Sequence, residues 1–522
     1  MRVVQNSQMQ IGEVDISQIK FDPKSRDDIP TILKGLQHLY VNLPLREKIF
    51  ALLEAEISPK VDKRNGRPGM ALWTIFVCGV LRLDLNEDYD RLHDLVNHHS
   101  AIRQMLGHGA FNEETYHFQT LKDNVALLTP ALLDKINLIV VNAGHDLVKK
   151  KVDEALRGRC DSFVVETDVH FPTDINLLYD AMRKVVTLTA QLCESTGTDG
   201  WRQHVYNVNH LKRHMRSAQN KNRSKARSEA KKEKKAALEK EKNAAKKEKS
   251  AAQNEKNEAL VIEAHQEYLD TASVYLSKAQ ATLAALGKQG LADQFDVLKK
   301  LEIERFMVHA IRQIDQIKRR VILGEVIPHG EKVFSIFEPH TEWISKGKAG
   351  VPVELGVKVC ILEDQYQFIL HHQVMQKSTD DQVAVPMVVA AKNRFPNLTT
   401  CSFDKGFHTP DNQAVLQEHL TLVALPRKGK LSQSAQAVEQ AEEFVKARRA
   451  HSAVESAINA LEVHGLDKCL DHGIDGFKRY VALAMVARNI HRIGAILKQQ
   501  EQQREQRKKK YSDRECTYKL AA

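Results

Sequence analysis

Apolar residues recur at helical spacing from Pro30 to about Lys151, a pattern opened by Asp28 as a cap with Pro30 in the first turn. Within it, the stretch from Asn65 predicts a turn through Pro68, an apolar helix from Met70 to Leu83, and an amphipathic helix through Tyr89, Leu92 and Leu95. Short helices joined by tight turns suit a helix-turn-helix DNA reader and equally a plain helical bundle. At Asp161 the period changes to two. In DSFVVETDVHFP, Val164, Glu166, Asp168 and His170 share one strand face, Phe163, Val165 and Thr167 share the other, and Pro172 ends the run.

Helical spacing returns from about Leu177 to Gly324. It includes the tract Ser217 to Gln253, rich in helix formers but without an apolar stripe, which predicts a solvent-exposed arm paired in a long hairpin with the segment Leu260 to Arg320. A second αβ pattern starts near Gly330. It predicts strands at Lys332 to Phe337, Val353 to Leu362 and Tyr366 to His372, then a helix at Asp380 to Arg394. A strand at Leu398 to Phe403, a short helix after Thr409, a strand at Thr421 to Leu425 and a long helix from Ser434 through Leu461 complete it. With the strand at Asp161 placed first, the early strands, a helix, a strand, a helix, a strand and a final helix give the order an RNase H-like sheet requires.

Length and charge sharpen this picture. A chain of 522 residues exceeds one ordinary core and implies two or three domains. The formal net charge is +10, yet Trp201 to Lys256 alone holds eighteen Lys and Arg against six Asp and Glu. Such a tract is suited to phosphate contact, although a mixed Lys/Glu/Ala run is also what a merely solvated helix looks like. Seven dispersed cysteines, without a CxxC pair, read as reduced thiols. The chain has no recognisable signal-peptide core or twenty-residue apolar run, so a cytoplasmic protein without a membrane span is expected.

An RNase H-like nuclease holds two divalent ions on carboxylates that converge from the first strand, the end of the fourth and the closing helix. Asp168 takes the first place, Asp404 the second and Glu455 the third. Each has an ordinary alternative: a polar strand end, a strand-to-turn Asp, and a surface His451–Glu455 pair. Arg448, His451 and Glu455 are read onto one helix face beside the apolar stripe Val454, Ile458 and Leu461. Lys405, Arg427, Lys428 and Lys430 follow strand ends where DNA would approach. Thr173 and Asp174 read as a helix cap rather than as part of the site. Absent Cys/His spacing argues against zinc, and KGKAG at 346 lacks phosphate-loop spacing.

The strings VVETDVHFPTDINLLYDAMRK, SFDKGFHTPDN and HSAVESAINALEVHGLDKC resemble the three catalytic blocks of DDE transposases of bacterial insertion sequences, most closely the ISNCY-like group. The resemblance covers most of residues 160 to 497 and extends loosely to GRPGMALWTIFVCGVLRL. It implies an α/β fold with an RNase H-like catalytic core, a helical N-terminal DNA-binding domain (1–160) and a coiled-coil-like insertion with a basic arm (177–329). That insertion divides the first strand (161–176) from the remaining core (330–500), and a basic tail (501–522) ends the chain. Two Mg2+ ions, with Mn2+ as a substitute, would be held by Asp168, Asp404 and Glu455, and Lys405, Arg427, Lys428, Arg448 and His451 would contact double-stranded DNA. The implied partners are terminal inverted repeats, target DNA and further copies of the chain in a homo-oligomer. The Tyr-Arg-Glu-Lys signature of a related group is not matched, since Arg448, His451 and Glu462 stand at its other three places. A non-catalytic DNA-binding coiled-coil protein, and a nuclease without strand transfer, are the competing readings.

Overall fold

The computed structural model describes all residues except 1, 6–8, 10, 58–68, 239–243, 290–292, 346–351 and 522, and only the backbone of the other residues in 223–254, 289 and 509–521. The turn expected at Asn65 to Pro68, the KGKAG piece and the Cys516 side chain therefore lie outside the described residues. The chain forms two compact units. One joins Met1–Asp168 to His340–Ala522, and the other is Val169–Pro339.

Among the described residues, the α-helices that open the first unit are α1 (Asp28–Val41), α2 (Leu43–Ile57), α3 (Leu72–Asp84), α4 (Tyr89–His98), α5 (Ser100–Met105), α6 (Phe118–Val125) and α7 (Pro130–Leu147). Asp27, one residue before the cap expected from sequence, accepts from the Ile29 N–H at the start of α1. Every residue of α3 is buried, which explains why its sequence is apolar around its whole circumference. Strand β1 (Leu156–Thr167) follows, starting five residues before the expected Asp161.

The second unit holds α8 (Asp174–Thr196), α9 (His204–Leu238), α10 (Ala244–Gln289) and α11 (Gln294–Ile317). Thr173 caps α8 by accepting from the Asn176 N–H, while Asp174 pairs with Arg320 at 3.1 Å. Helices α9 and α10 form the expected antiparallel hairpin: Trp201 Nε1 donates to Thr282 Oγ1 at 3.0 Å, and Asn222 lies 3.3 Å from His265 further along. Trp201, Leu211, Met215 and Ala218 are buried against Tyr268, Ala272 and Ile303, so the start of the basic tract is core and not arm. The strand expected at Lys332 to Phe337 is absent. Ile336 is buried in this helical core, and Ser335 Oγ accepts from the N–H groups of Phe337 and Glu338, which bends the segment into a turn.

Back in the first unit, β2 (Glu342–Ser345), β3 (Val353–Glu363) and β4 (Ile369–Met375) precede α12 (Asp380–Arg394), β5 (Leu398–Phe403), α13 (Pro410–His419) and β6 (Leu422–Ala424). Then come α14 (Gln433–Gln440), α15 (Glu442–His451), α16 (Ala453–Leu461), β7 (Lys468–Cys469) and α17 (Gly473–Ala521). The sheet runs β2-β3-β1-β5-β6, with β4 also on β3 and β7 on β1. Strand β1 is antiparallel to β3 and parallel to β5, and β5 is parallel to β6. The single helix expected from Ser434 to Leu461 is three helices. Extended backbone at Ala441 and a break at Ser452 divide it.

Helix α17 binds the N-terminal helices to the sheet. Where it crosses α1 the backbones touch: a Cβ on Gly494 would lie 1.9 Å from the Thr31 carbonyl, and one on Gly35 2.3 Å from that of Ile490. Asn489 of α17 donates to Asn137 Oδ1 of α7 at 2.7 Å and to the Ile369 carbonyl of β4 at 3.0 Å, and accepts from the Ile369 N–H at 2.9 Å. The N-terminal helices and the sheet thus share one apolar core, and the expected boundary at residue 160 does not separate compact units. Among the described residues, no single helix is long and apolar enough to cross a membrane.

Candidate carboxylate site

In the parallel β1–β5 pair, Cys160 sits opposite Phe403, so Asp161 and Asp404 follow at the same level of the sheet. Strand β5 ends there, and Asp404 opens a tight turn over Lys405–Phe407. Glu455 stands in the first turn of α16, which packs against β1. Asp161, Asp404 and Glu455 line one cleft of about 520 Å³ with Asp380, Lys358 and Asn459. Burial and the neighbouring Asp404, Asp380 and Glu455 push the Asp161 carboxyl up to about 6, against the Ser162 N–H that donates to its Oδ1 at 2.7 Å. Asp380 is already engaged: it accepts from Ser162 Oγ at 2.6 Å and from Lys358 Nζ at 3.0 Å.

Asp168 is elsewhere. It lies seven residues beyond Asp161, roughly 23 Å along an extended strand, past the end of β5 and just after β1 itself. There it pairs with Lys468 at 2.6 Å, where β7 runs beside Glu166 and Thr167. The structure therefore brings Asp404 and Glu455 together as expected, but with Asp161 in the place assigned to Asp168. The sequence held a signal for this. If the strand starts at Leu156, Asp161 becomes an acid in the middle of a buried strand, which is costly without a purpose.

The basic residues named from sequence divide into two groups. His451 is next to the cleft, with Nδ1 3.1 Å from Ser402 Oγ; burial lowers its pKa although Asp404 and Glu455 oppose this, so the ring is neutral near pH 7. Arg448 is exposed on the same helix, α15, but the break at Ser452 places Glu455 on a different helix from both. On the other flank, Lys405 is exposed beside Asp404, and Lys428 Nζ donates to the Gly406 carbonyl at 2.9 Å in the turn that carries Asp404. The Arg427 N–H donates to Glu439 at 2.9 Å. Burial, then Arg427 and Lys428, lower the pKa of His408, which puts both cations near that turn.

The donor set suits a hard divalent cation. Three carboxylates line one open cleft, and the burial and carboxylate repulsion that raise Asp161 are the kind a bound cation relieves. Comparison with family models, curated proteins and solved structures finds no match.

Proposed function

We propose that this chain is a DDE-type transposase whose catalytic carboxylates are Asp161, Asp404 and Glu455. The observation that carries the reading is their convergence on one cleft from a first strand, the end of a parallel neighbour and a following helix. The order of strands and helices in the first unit, with the second unit inserted between β1 and β2, supports an RNase H-like core. The sequence blocks around Asp404 and Glu455 that resemble such transposases support the same class, whereas the first block, which begins at Val164, holds Asp168 and not Asp161.

Asp161, Asp404 and Glu455 would hold Mg2+ or Mn2+, which when bound lowers the pKa of the attacking water or DNA 3′-hydroxyl and neutralises charge at the scissile phosphate. The chain's own groups do the rest. Asp404 is fixed by the turn that Lys428 braces. Lys358, paired with Asp380 on the cleft wall, is a cation within the site that can shift toward a phosphate oxygen. Neutral His451 holds Ser402 beneath Asp404 without adding charge. Lys405 and Arg448 are exposed cations positioned for the DNA backbone.

The test is cleavage and strand transfer on DNA bearing the element's ends, with Mg2+ and with Mn2+. Asp161→Asn, Asp404→Asn and Glu455→Gln should each lose cleavage at least a hundredfold while retaining end binding. Asp168→Asn should cleave normally. Full activity of Asp161→Asn would sink the assignment, and cleavage without joined products would make the protein a nuclease.

A further inference from the structure

A second group of metal-ligating side chains lies apart from the carboxylate cleft. Asp84 ends α3 with its side chain fully buried, and His491 Nδ1 of α17 lies 3.0 Å from both of its carboxylate oxygens. The main-chain carbonyl of Asp84 accepts from His464 Nδ1 in the turn after α16. The two imidazole rings are 4.9 Å apart. One ligand atom from each of the three residues lies within 4.8 Å of the others.

The turn is built to present His464. Gly465 has φ +100°, and a Cβ there would press on Asn86 Oδ1 at 3.2 Å and on the Tyr480 hydroxyl at 3.4 Å. Asn86 in turn donates to the Val463 carbonyl at 3.3 Å, and the Tyr480 hydroxyl donates to that of Gly465 at 3.0 Å. His464 keeps its Nδ1–H on the Asp84 carbonyl, which leaves Nε2 with a lone pair; this is how metal-bound histidines are ordinarily oriented. His491 shares a proton with the carboxylate through Nδ1. A cation inserted between them would send that proton to Nε2 of the ring and take both Nδ1 and a carboxylate oxygen as ligands.

We propose that Asp84, His464 and His491 form a site for a nitrogen-preferring divalent ion of the Zn2+ class, with a fourth position for water. Two imidazoles and one carboxylate match that ion, whereas the all-oxygen cleft matches Mg2+. Tetrahedral bonds of about 2.0–2.1 Å separate ligand atoms by roughly 3.4 Å, so the 3.0 Å contact of His491 with Asp84 already has nearly the required spacing. The bound ion would tie α3 and α17 to the turn that ends the helix of Glu455.

The site is tested in the full chain carrying Asp161→Asn, Asp404→Asn and Glu455→Gln, so that the carboxylate cleft cannot contribute. Equilibrium dialysis against Zn2+, and the visible absorption of Co2+ added in its place, should give one ion per chain with a tetrahedral Co2+ spectrum. His464→Ala and His491→Ala should each weaken binding at least tenfold, with the exposed His98→Ala as the unchanged control. Failure of the triple variant to bind Zn2+, or undiminished binding after His491→Ala, overturns the proposal. Because the measurement reads metal and not cleavage, its outcome is separate from that of the carboxylate reading.

Discussion

Asp161→Asn should stabilise the metal-free protein at neutral pH while destroying its response to Mg2+. The folded state holds the Asp161 carboxyl at about 6, against 3.8 for a free aspartate. A raised carboxylate pKa means that the folded chain keeps its proton where the unfolded chain has lost it, so stability falls as pH rises from about 4 to 6 and stays reduced above. A rise of that size corresponds to about 3 kcal/mol, and partial solvent access reduces this to roughly 1–2 kcal/mol. Asn removes the charge and keeps an oxygen for the Ser162 N–H, now 2.7 Å from Oδ1. Urea unfolding in EDTA should show equal stability of variant and parent near pH 4, with the variant gaining over pH 4 to 6. Adding Mg2+ or Mn2+ at pH 7.5 should then stabilise the parent alone. The reasoning fails if the variant is no more stable than the parent at pH 7.5 in EDTA, or if metal stabilises both equally.

Asp168→Ala should leave cleavage unchanged and cost at most about 1 kcal/mol by chemical denaturation, because its pair with Lys468 is about half exposed on the Asp168 side. Gly494→Ala should separate α17 from α1 and lower the melting temperature by several degrees, since the added carbon meets a main-chain carbonyl at 1.9 Å; an unchanged melt would mean the crossing is looser. Asn489→Leu should cost about 2–4 kcal/mol by leaving Asn137 and the Ile369 backbone with unmet polar groups inside the core, a loss readable in denaturant midpoints. Replacing Lys and Arg by Gln between residues 223 and 254 should flatten the salt dependence of DNA binding, whereas deletion from Trp201 should also unfold the second unit because Trp201 and Leu211 are core; an unchanged salt slope would remove the phosphate-contact role from this tract.

What sequence made legible followed local chemistry. Strand β5 ending at an Asp and Glu455 on a helix were both visible, since an apolar run that stops at an acid and a turn is a local signal. The start of β1 was not. Arg157, Gly158 and Arg159 look like a turn, yet Arg159 is buried against Glu363 at 2.8 Å, a partner some two hundred residues away. Without that pairing the strand seems to begin at Asp161, which puts Asp161 at its outer end and leaves Asp168 as the aspartate within it. The same cause hid the metal-ligating triad of Asp84, His464 and His491, whose members share no spacing. The segment from Lys332 alternates like a strand, but Ile336 is drawn into a helical core and Ser335 closes a turn. Periodicity also ran unbroken through Ser452, because a one-residue break leaves the apolar stripe of the next helix in phase.

Asp161 lies well before the point at which the chain leaves the first unit. The acid sits six residues before the strand ends, paired with Ile361 of β3, and the preceding Cys160 pairs with Phe403 of β5. Beyond it, Val164 to Glu166 continue pairing with β3, and Glu166 and Thr167 also pair with β7, so the chain is anchored before it leaves the unit at Asp168. Asp168, by contrast, lies beyond the last paired residue, at the point where the chain leaves the unit, and its carboxylate is engaged by Lys468. Placing the carboxylate mid-strand separates the precision that the proposed metal site requires from the variation tolerated at an insertion point.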